Sequence, residues 1–251
     1  MKICSITYHE VVDNPDQSGF MRPSAIPYKL PLKEFIDHIS IFKKYNIQTP
    51  KISDLNFHLE NDISHIITFD DGGISNLKAA DILEEHGLIG HFLITSGFSG
   101  NNGFMNNSQI RELHDRGHVI GAHSHSHPDV FYRLSYKNML EEWSKSKNIL
   151  ENIIGECVTC ASVPGGEMNL NTWESSAEAG LSYLFCSEPF LKPQKKSNWL
   201  LGRVCPKHGT DYKKLVNFVQ LNGFENEMRL RKIKNLAKRI YYPLQDIFKK
   251  Y

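Results

Sequence analysis

The sequence predicts an α/β protein in which a mostly parallel sheet curls into a distorted or incomplete (β/α) barrel, followed by a C-terminal amphipathic helical extension. Three observations predict it. Short apolar runs alternate with amphipathic stretches along most of the chain, the pattern of repeated strand–helix units. The length of 251 residues suits a single barrel domain. No glycine-rich phosphate loop follows the first apolar run, which disfavours an open, doubly wound nucleotide-binding sheet. Hydrophobic residues make up 40% of the chain and the formal net charge is +1. That composition provides for a core and gives no reason to expect nucleic acid as a partner.

Taken in order, Ile3 to Thr7 reads as a strand, and Leu32 to Tyr45 as a helix with Phe35, Ile36, Ile39 and Phe42 on one face. His65 to Phe69 is a short buried-strand run, followed by a helix from Ser75 to His86 and a strand from Gly90 to Thr95. Ser108 to Arg116 is a short helix, entered through Asn107 or Ser108 as N-cap and stopped by Gly117. His118 to Ala122 is the next strand. Leu134 to Ile154 is the clearest helix, with Met139, Trp143, Leu150, Ile153 and Ile154 at helical spacing. A strand near Val158 to Val163, a helix near Asn171 to Ala179, strands near Ser182 to Cys186 and Leu200 to Cys205, and a helix from Asp211 to Leu221 complete a domain over 1–223.

Residues 224–251 differ in charge. They carry eight Lys/Arg against three Asp/Glu, whereas 1–223 carry 21 against 25. Leu230, Ile233, Ala237, Ile240, Tyr241 and Leu244 form an apolar stripe there, so the tail reads as a basic amphipathic helix docking through that stripe. Peripheral contact with an anionic membrane surface is its functional alternative. His9 and Glu10 interrupt the first apolar run, so no secretory segment is read, and no run reaches the roughly 18 to 20 apolar residues of a membrane span. With five cysteines, an odd number, reduced thiols and a cytoplasmic location are expected. Cys157 and Cys160 have no second pair and read as core thiols.

In such barrels reactive groups gather where strands end on the C-terminal face. Asp70-Asp71-Gly72 ends one predicted strand, His123-Ser124-His125-Ser126-His127 follows another, and Pro164-Gly165-Gly166 ends a third. Asp71, His123 and His127 offer one carboxylate and two imidazoles for one divalent metal ion, zinc first and Co, Ni or Mn as alternatives, with a position left for water. Asp70, adjacent but not needed as a ligand, can take that water's proton. Alone, Asp-Asp-Gly is a common turn and His-x-x-x-His a common accident. Their joint placement at strand ends points to a metal-assisted hydrolase. Gly121 and Pro128 put the two histidines on a loop rather than one helix face. His125 reads as a surface group, and His114 and His118 as structural.

Thr68-Phe69-Asp70-Asp71-Gly72, His123-Ser124-x-x-His127 and Val163-Pro164-Gly165-Gly166 resemble the first three motifs of the polysaccharide deacetylases, the NodB-homology domains of carbohydrate esterase family 4. Gly90-His91-Phe92-Leu93-Ile94 and Ile110-Arg111-Glu112-Leu113 agree between the motifs. The resemblance, from about Ile3 to Gly223, implies a distorted (β/α) barrel and metal-dependent removal of acetyl from an N-acetylated saccharide. It implies Asp70 as base, Asp71, His123 and His127 as metal ligands, and the Gly165 N–H as oxyanion donor.

Two departures matter. Where the family's third motif usually has an arginine holding the catalytic aspartate, this chain has Ser162; Arg203 is the candidate replacement. The late Leu-x-His whose histidine protonates the departing amine is missing, and His208 is a weak substitute. Tyr8-His9-Glu10-Val11 resembles the N-terminal Tyr-His-x-Val of circularly permuted deacetylases acting on exopolysaccharide, which makes His9 the candidate general acid. Competing readings are a hydrolase of another small amide or of an O-acetyl ester on the same barrel, and a carbohydrate-binding module that has lost catalysis.

Overall fold

The computed structural model describes residues 1–233. Its strands are β1 (Lys2–Tyr8), β2 (Glu10–Val11), β3 (Lys29–Leu30), β4 (Ile63–Phe69), β5 (Gly90–Ile94), β6 (Val119–Ala122), β7 (Cys160–Ser162), β8 (Tyr183–Phe185), β9 (Gln194–Lys195) and β10 (Trp199–Leu201). The helices are α1 (Leu32–Lys44), α2 (Asn76–Glu85), α3 (Asn107–Asp115), α4 (Tyr136–Ile154), α5 (Leu170–Glu178) and α6 (Tyr212–Val219). Residues 224–233 are also helical.

Eight strands form one sheet in the order β1-β4-β5-β6-β7-β8-β10-β9, parallel throughout except where β9 meets β10. Helices between successive parallel strands cover the outside, so β1 and β4 are buried along nearly their whole length. Beyond β10 the chain returns to β1. Val204 bridges Ile6, with Thr7 N–H donating to Val204 O at 2.9 Å and Val204 N–H to Ser5 O at 3.0 Å. The sheet is thus a strongly curled eight-stranded half-barrel, the distorted barrel that the alternation of apolar runs predicted.

The period of two along each strand divides the side chains between two cores. Outward residues such as Ile6, Ile67, Phe69 and Phe92 join the larger cluster with α1 to α4. Inward residues Ile3, Ile66, Leu93, Cys160, Phe185 and Leu201 form a smaller apolar layer inside the curl. Above that layer the same inward positions become polar: Ser5 and Thr7 on β1, Thr68 on β4 and Asp70 just beyond it, Ser162 on β7, all buried. The alternation therefore builds an apolar floor, a layer of hydroxyls, and then the charged mouth.

Several boundaries differ from the sequence expectation. Ile36 is 40% exposed, and the buried face of α1 uses His38 and Ile41 beside Phe35, Ile39 and Phe42. The N-cap of α3 is Asn106, whose side chain accepts from Gln109 N–H while Gln109 returns a bond to Asn106 N–H, a reciprocal box that neither Asn107 nor Ser108 could form. Cys157 precedes β7 and is exposed, so only Cys160 of that pair is a core thiol; all five cysteines are free. In the tail, Leu230 and Ile233 are 59% and 66% exposed, so the stripe is not docked there. Ala237, Ile240, Tyr241 and Leu244 lie outside the described residues. Among the described residues, no helix is long and apolar enough to cross a membrane.

Candidate active site

Each residue singled out for chemistry lies at or just beyond the C-terminal end of a strand. His9 follows β1, Asp70 and Asp71 follow β4, His123 follows β6, Gly165 lies beyond β7, and Arg203 lies beyond β10. All line one cavity of about 440 Å³, together with His127.

The backbone is bent to bring them there. Asp71, Ser124 and His127 have φ values of 76°, 59° and 53°, left-handed conformations that non-glycine residues rarely adopt and that tolerate little without support. Support is present. Asp70 N–H donates to Tyr8 O at 3.0 Å, Thr95 N–H to Asp71 O at 3.1 Å, and His123 N–H to Ile94 O at 2.8 Å. Glu142, reaching from α4, accepts from His125 N–H at 2.9 Å, Ser126 N–H at 2.8 Å and the Ser126 hydroxyl at 2.7 Å. Ser124 Oγ accepts from His127 N–H at 3.1 Å. The loop carrying both histidines is thus tied to a helix and to itself.

Asp71 Oδ1 lies 3.4 Å from His123 Nε2 and 3.5 Å from His127 Nε2. One donor atom from each residue falls within 4.8 Å of the others. His123 directs Nδ1 at Ser162, 2.6 Å from its Oγ and 3.1 Å from its carbonyl, which leaves the Nε2 lone pair facing Asp71. Spacings of 3.4–3.5 Å are too long for good hydrogen bonds. They suit three donors about 2 Å from one shared ion. Two imidazoles and one carboxylate, nearly closed to solvent, therefore fit a divalent metal, and Asp71, His123 and His127 could hold it.

Asp70 is bound differently. Arg203 Nη1 donates to its Oδ1 at 2.7 Å and Nη2 to its Oδ2 at 2.8 Å, a two-pronged pair in which both residues are almost fully buried. Thr7 Oγ1, Thr68 Oγ1 and Cys186 O accept the guanidinium's further N–H groups at 3.2, 3.1 and 3.3 Å. The Ser162 hydroxyl donates to Asp70 Oδ1 at 2.9 Å. Burial alone would raise the Asp70 carboxyl, but Arg203, with His123 and His9 behind it, outweighs burial and holds it at about 2.

His9 lines the same cavity, its ring centroid 4.8 Å from that of Tyr28 and its Nδ1 buried without a hydrogen-bond partner among the described residues. Burial lowers its pKa, and the charges of Asp71 and Asp70 work against that. Gly165 adopts φ 67°, exposed to the cavity immediately after Pro164. His208 is not among these residues: its Nδ1 pairs with Glu34 Oε2 at 2.7 Å on an exposed loop. His125 turns away to Ser96 Oγ at 3.0 Å.

Sequence reasoning missed three contributors. Ser162, noted only as the place of an absent arginine, joins His123 to Asp70. Glu142 carries no signal beyond being an acidic residue on a helix. Arg231, in the sequence only one of the basic residues of the tail, lines the cavity.

A family model described as Polysaccharide deacetylase matches residues 60–184. The peptidoglycan-N-acetylmuramic acid deacetylase PdaA of Bacillus subtilis is 35% identical over 66 residues, which is 26% of this chain and 24% of that protein. The chain thus matches about a quarter of that relative's length. Among solved structures, the polysaccharide deacetylase BC0361 of Bacillus cereus superposes with a TM-score of 0.75 at 18% identity, covering 87% of this chain and 69% of that one. The Streptococcus pyogenes deacetylase PplD, solved in complex with acetate, gives 0.70 at 17% identity, covering 86% and 97%. At these identities the likeness is one of fold, and it is the strongly curled half-barrel that is shared.

Proposed function

The chain belongs to the polysaccharide deacetylase family, and on that premise we propose that it removes acetyl by metal-dependent hydrolysis from an N-acetylated amino sugar of a glycan or polysaccharide precursor. One observation carries the reading: Asp70, a buried carboxylate gripped by Arg203, stands beside the Asp71, His123 and His127 donor set.

A divalent ion held by those three residues, zinc in our reading, would polarise the acetyl carbonyl and acidify a bound water. Asp70, kept ionised by Arg203, accepts the proton of the attacking water. The Gly165 N–H donates to the developing oxyanion. His9, lining the same cavity, delivers a proton to the departing amine, with Asp71 and Asp70 working against the burial that disfavours its charged form. An acid histidine placed ahead of the metal motifs follows the permuted motif order. The products are acetate and a free amino sugar, and the acetate held by PplD is in keeping with that outcome. A cytoplasmic site of action and contact of the basic tail with an anionic membrane rest on the sequence alone.

Acetate release from N-acetylglucosamine oligomers, before and after chelation and with Zn²⁺ or Co²⁺ restored, tests the reading. Metal-restored release by the wild type is expected, falling roughly 10²- to 10⁴-fold in Asp70→Asn. Release that survives chelation, or survives the substitution, would overturn it. No release from a chain that retains one metal would favour the O-acetyl or small-amide reading.

A further inference from the structure

One flank of the cavity holds cations that the proposed deacetylation does not use. Most charges around the mouth are matched. Arg203 is taken by Asp70, Glu227 by Lys214 at 2.6 Å, and the Lys29 ammonium donates to Pro15 O and, at 2.7 Å, to Ser18 O. The hydrogen-bond donors of Arg231 and the ammonium of Lys207 are the exceptions. The Arg231 side chain, from the helical stretch 224–233, is only 15% exposed. Its Nε forms an ion pair with Glu188 Oε1 at 3.8 Å, beyond hydrogen-bond reach, and among the described residues Nε and Nη2 are buried with no hydrogen-bond acceptor. Lys207 Nζ lies over the Tyr28 ring, 4.6 Å from its centroid, and forms no ion pair with a carboxylate of the described residues. Glu188, which faces Arg231, accepts the Arg203 N–H on its carbonyl at 3.1 Å, and Lys207 lies four residues beyond Arg203, so both cations stand on the side of the mouth where the chain leaves β10. Both side chains line the cavity that contains Asp70, Asp71 and His9.

Buried donors are nearly always hydrogen-bonded in folded proteins, and guanidinium N–H groups without acceptors are among the costliest exceptions. A neutral sugar can supply only hydroxyl and amide oxygens to it. Carboxylate and phosphate oxygens match the guanidinium fork and gain from an ammonium lining the same cavity as well. We propose that this flank is a subsite for an oxyanion, a carboxylate or phosphate carried by the saccharide that enters the cavity, with Arg231 and Lys207 as its donors. The saccharide part rests on the deacetylase reading; the anion part rests on the unsatisfied Arg231 donors and the Lys207 ammonium.

The test is calorimetric titration of the metal-loaded full chain with N-acetylglucosamine, N-acetylglucosamine 1-phosphate and N-acetylmuramic acid. At least one anionic sugar should bind about tenfold or more tightly than the neutral one, and the tighter of the two identifies phosphate or carboxylate. That ratio should fall towards one in Arg231→Gln and in Lys207→Gln, while Arg231→Lys, which keeps the charge, retains most of it. If Arg231→Gln does not fold, Lys207→Gln carries the comparison. Equal affinities in the wild type, or a preference that persists in the glutamine variants because the anion sits on the metal, would overturn the proposal. Acetate release measured on the same sugars separates the two readings. Anion preference without release would leave the subsite standing and remove the deacetylation; release without preference would do the reverse.

Discussion

Histidines in the wall of the barrel and histidines at its mouth are similarly buried, yet they differ in what their nitrogens do. In the wall, His91 accepts Ile52 N–H on Nε2 at 3.0 Å and points Nδ1 at Ile67 O, 3.3 Å away. His118 accepts Gly90 N–H on Nδ1 at 3.1 Å and meets Glu84 Oε1 through Nε2 at 3.0 Å. Both rings commit both nitrogens to the protein, and burial pushes them down, His91 to about 4. At the mouth, His123 commits only Nδ1, to Ser162, and turns Nε2 towards Asp71; despite burial, Asp70 and Asp71 raise its pKa. Burial therefore does not identify a site histidine. An uncommitted nitrogen facing a carboxylate does.

The sharpest way to break that contrast is to remove one ring of each kind. His123→Ala should lower metal affinity by more than about 100-fold, read as metal content after dialysis, with acetate release lost alongside. One retained metal per chain in this variant would sink the proposed ligand set. The next effect in size concerns how the mouth tolerates buried charge. Arg203→Met leaves Asp70 buried without its guanidinium and should cost about 3–5 kcal/mol in urea unfolding. Adding Asp70→Asn to that variant should recover part of the loss, because the two residues act as one pair. A double variant as unstable as the sum of the singles would mean that they are not coupled. His118→Ala, on the wall side, should cost only about 1–3 kcal/mol through lost hydrogen bonds and leave metal content unchanged. Metal lost in this variant would erase the distinction between wall and mouth.

The parts of the site legible in the sequence are those fixed by short-range pattern. Apolar runs locate strand ends, and in a parallel barrel the groups just beyond those ends must meet, so Asp70, Asp71, His123, His127 and Gly165 could be placed together before any coordinates. Arg203 was reachable for the same reason, although β10 ends at Leu201 and it is the return of Val204 to β1 that sets the guanidinium against Asp70. What could not be read depends on register between distant strands. Ser162 bonds His123 across 39 positions and Asp70 across 92, and nothing local to Ser162 announces either contact. Two-residue strands such as β2 and β3 have no period to detect. Ile36 failed because an apolar residue next to Phe35 lies about 100° around the helix from it, and the polar His38 filled the core position instead.

Two carboxyls in the same mouth supply the finest version of the contrast between committed and uncommitted groups. Asp70 has a guanidinium on both oxygens. Among the described residues, Glu10, 2% exposed, has hydroxyl partners only on Oε2, from Ser18 and from Ser75 at 2.6 Å, while its Oε1 has none. Gly19 and Gly73 pack so closely on that carboxyl that a Cβ at either position would overlap it, which keeps water out. Burial pushes Glu10 up to about 8, against the pull of Ser18, Ser75 and Lys29. The folded chain thus holds this proton more tightly than the unfolded chain, whose value is near 4.5. The stabilisation from that proton is complete below about 4.5 and is lost as pH rises towards 8, where the folded protein must ionise a buried group. Glu10→Gln keeps the shape and cannot ionise. Its melting temperature relative to wild type should therefore climb as the pH is raised from about 5 to about 8. A difference that stays flat across this range would mean that Glu10 is already ionised and matched by Lys29. Among the described residues, the mouth would then contain no uncommitted carboxyl apart from Asp71, the proposed metal ligand.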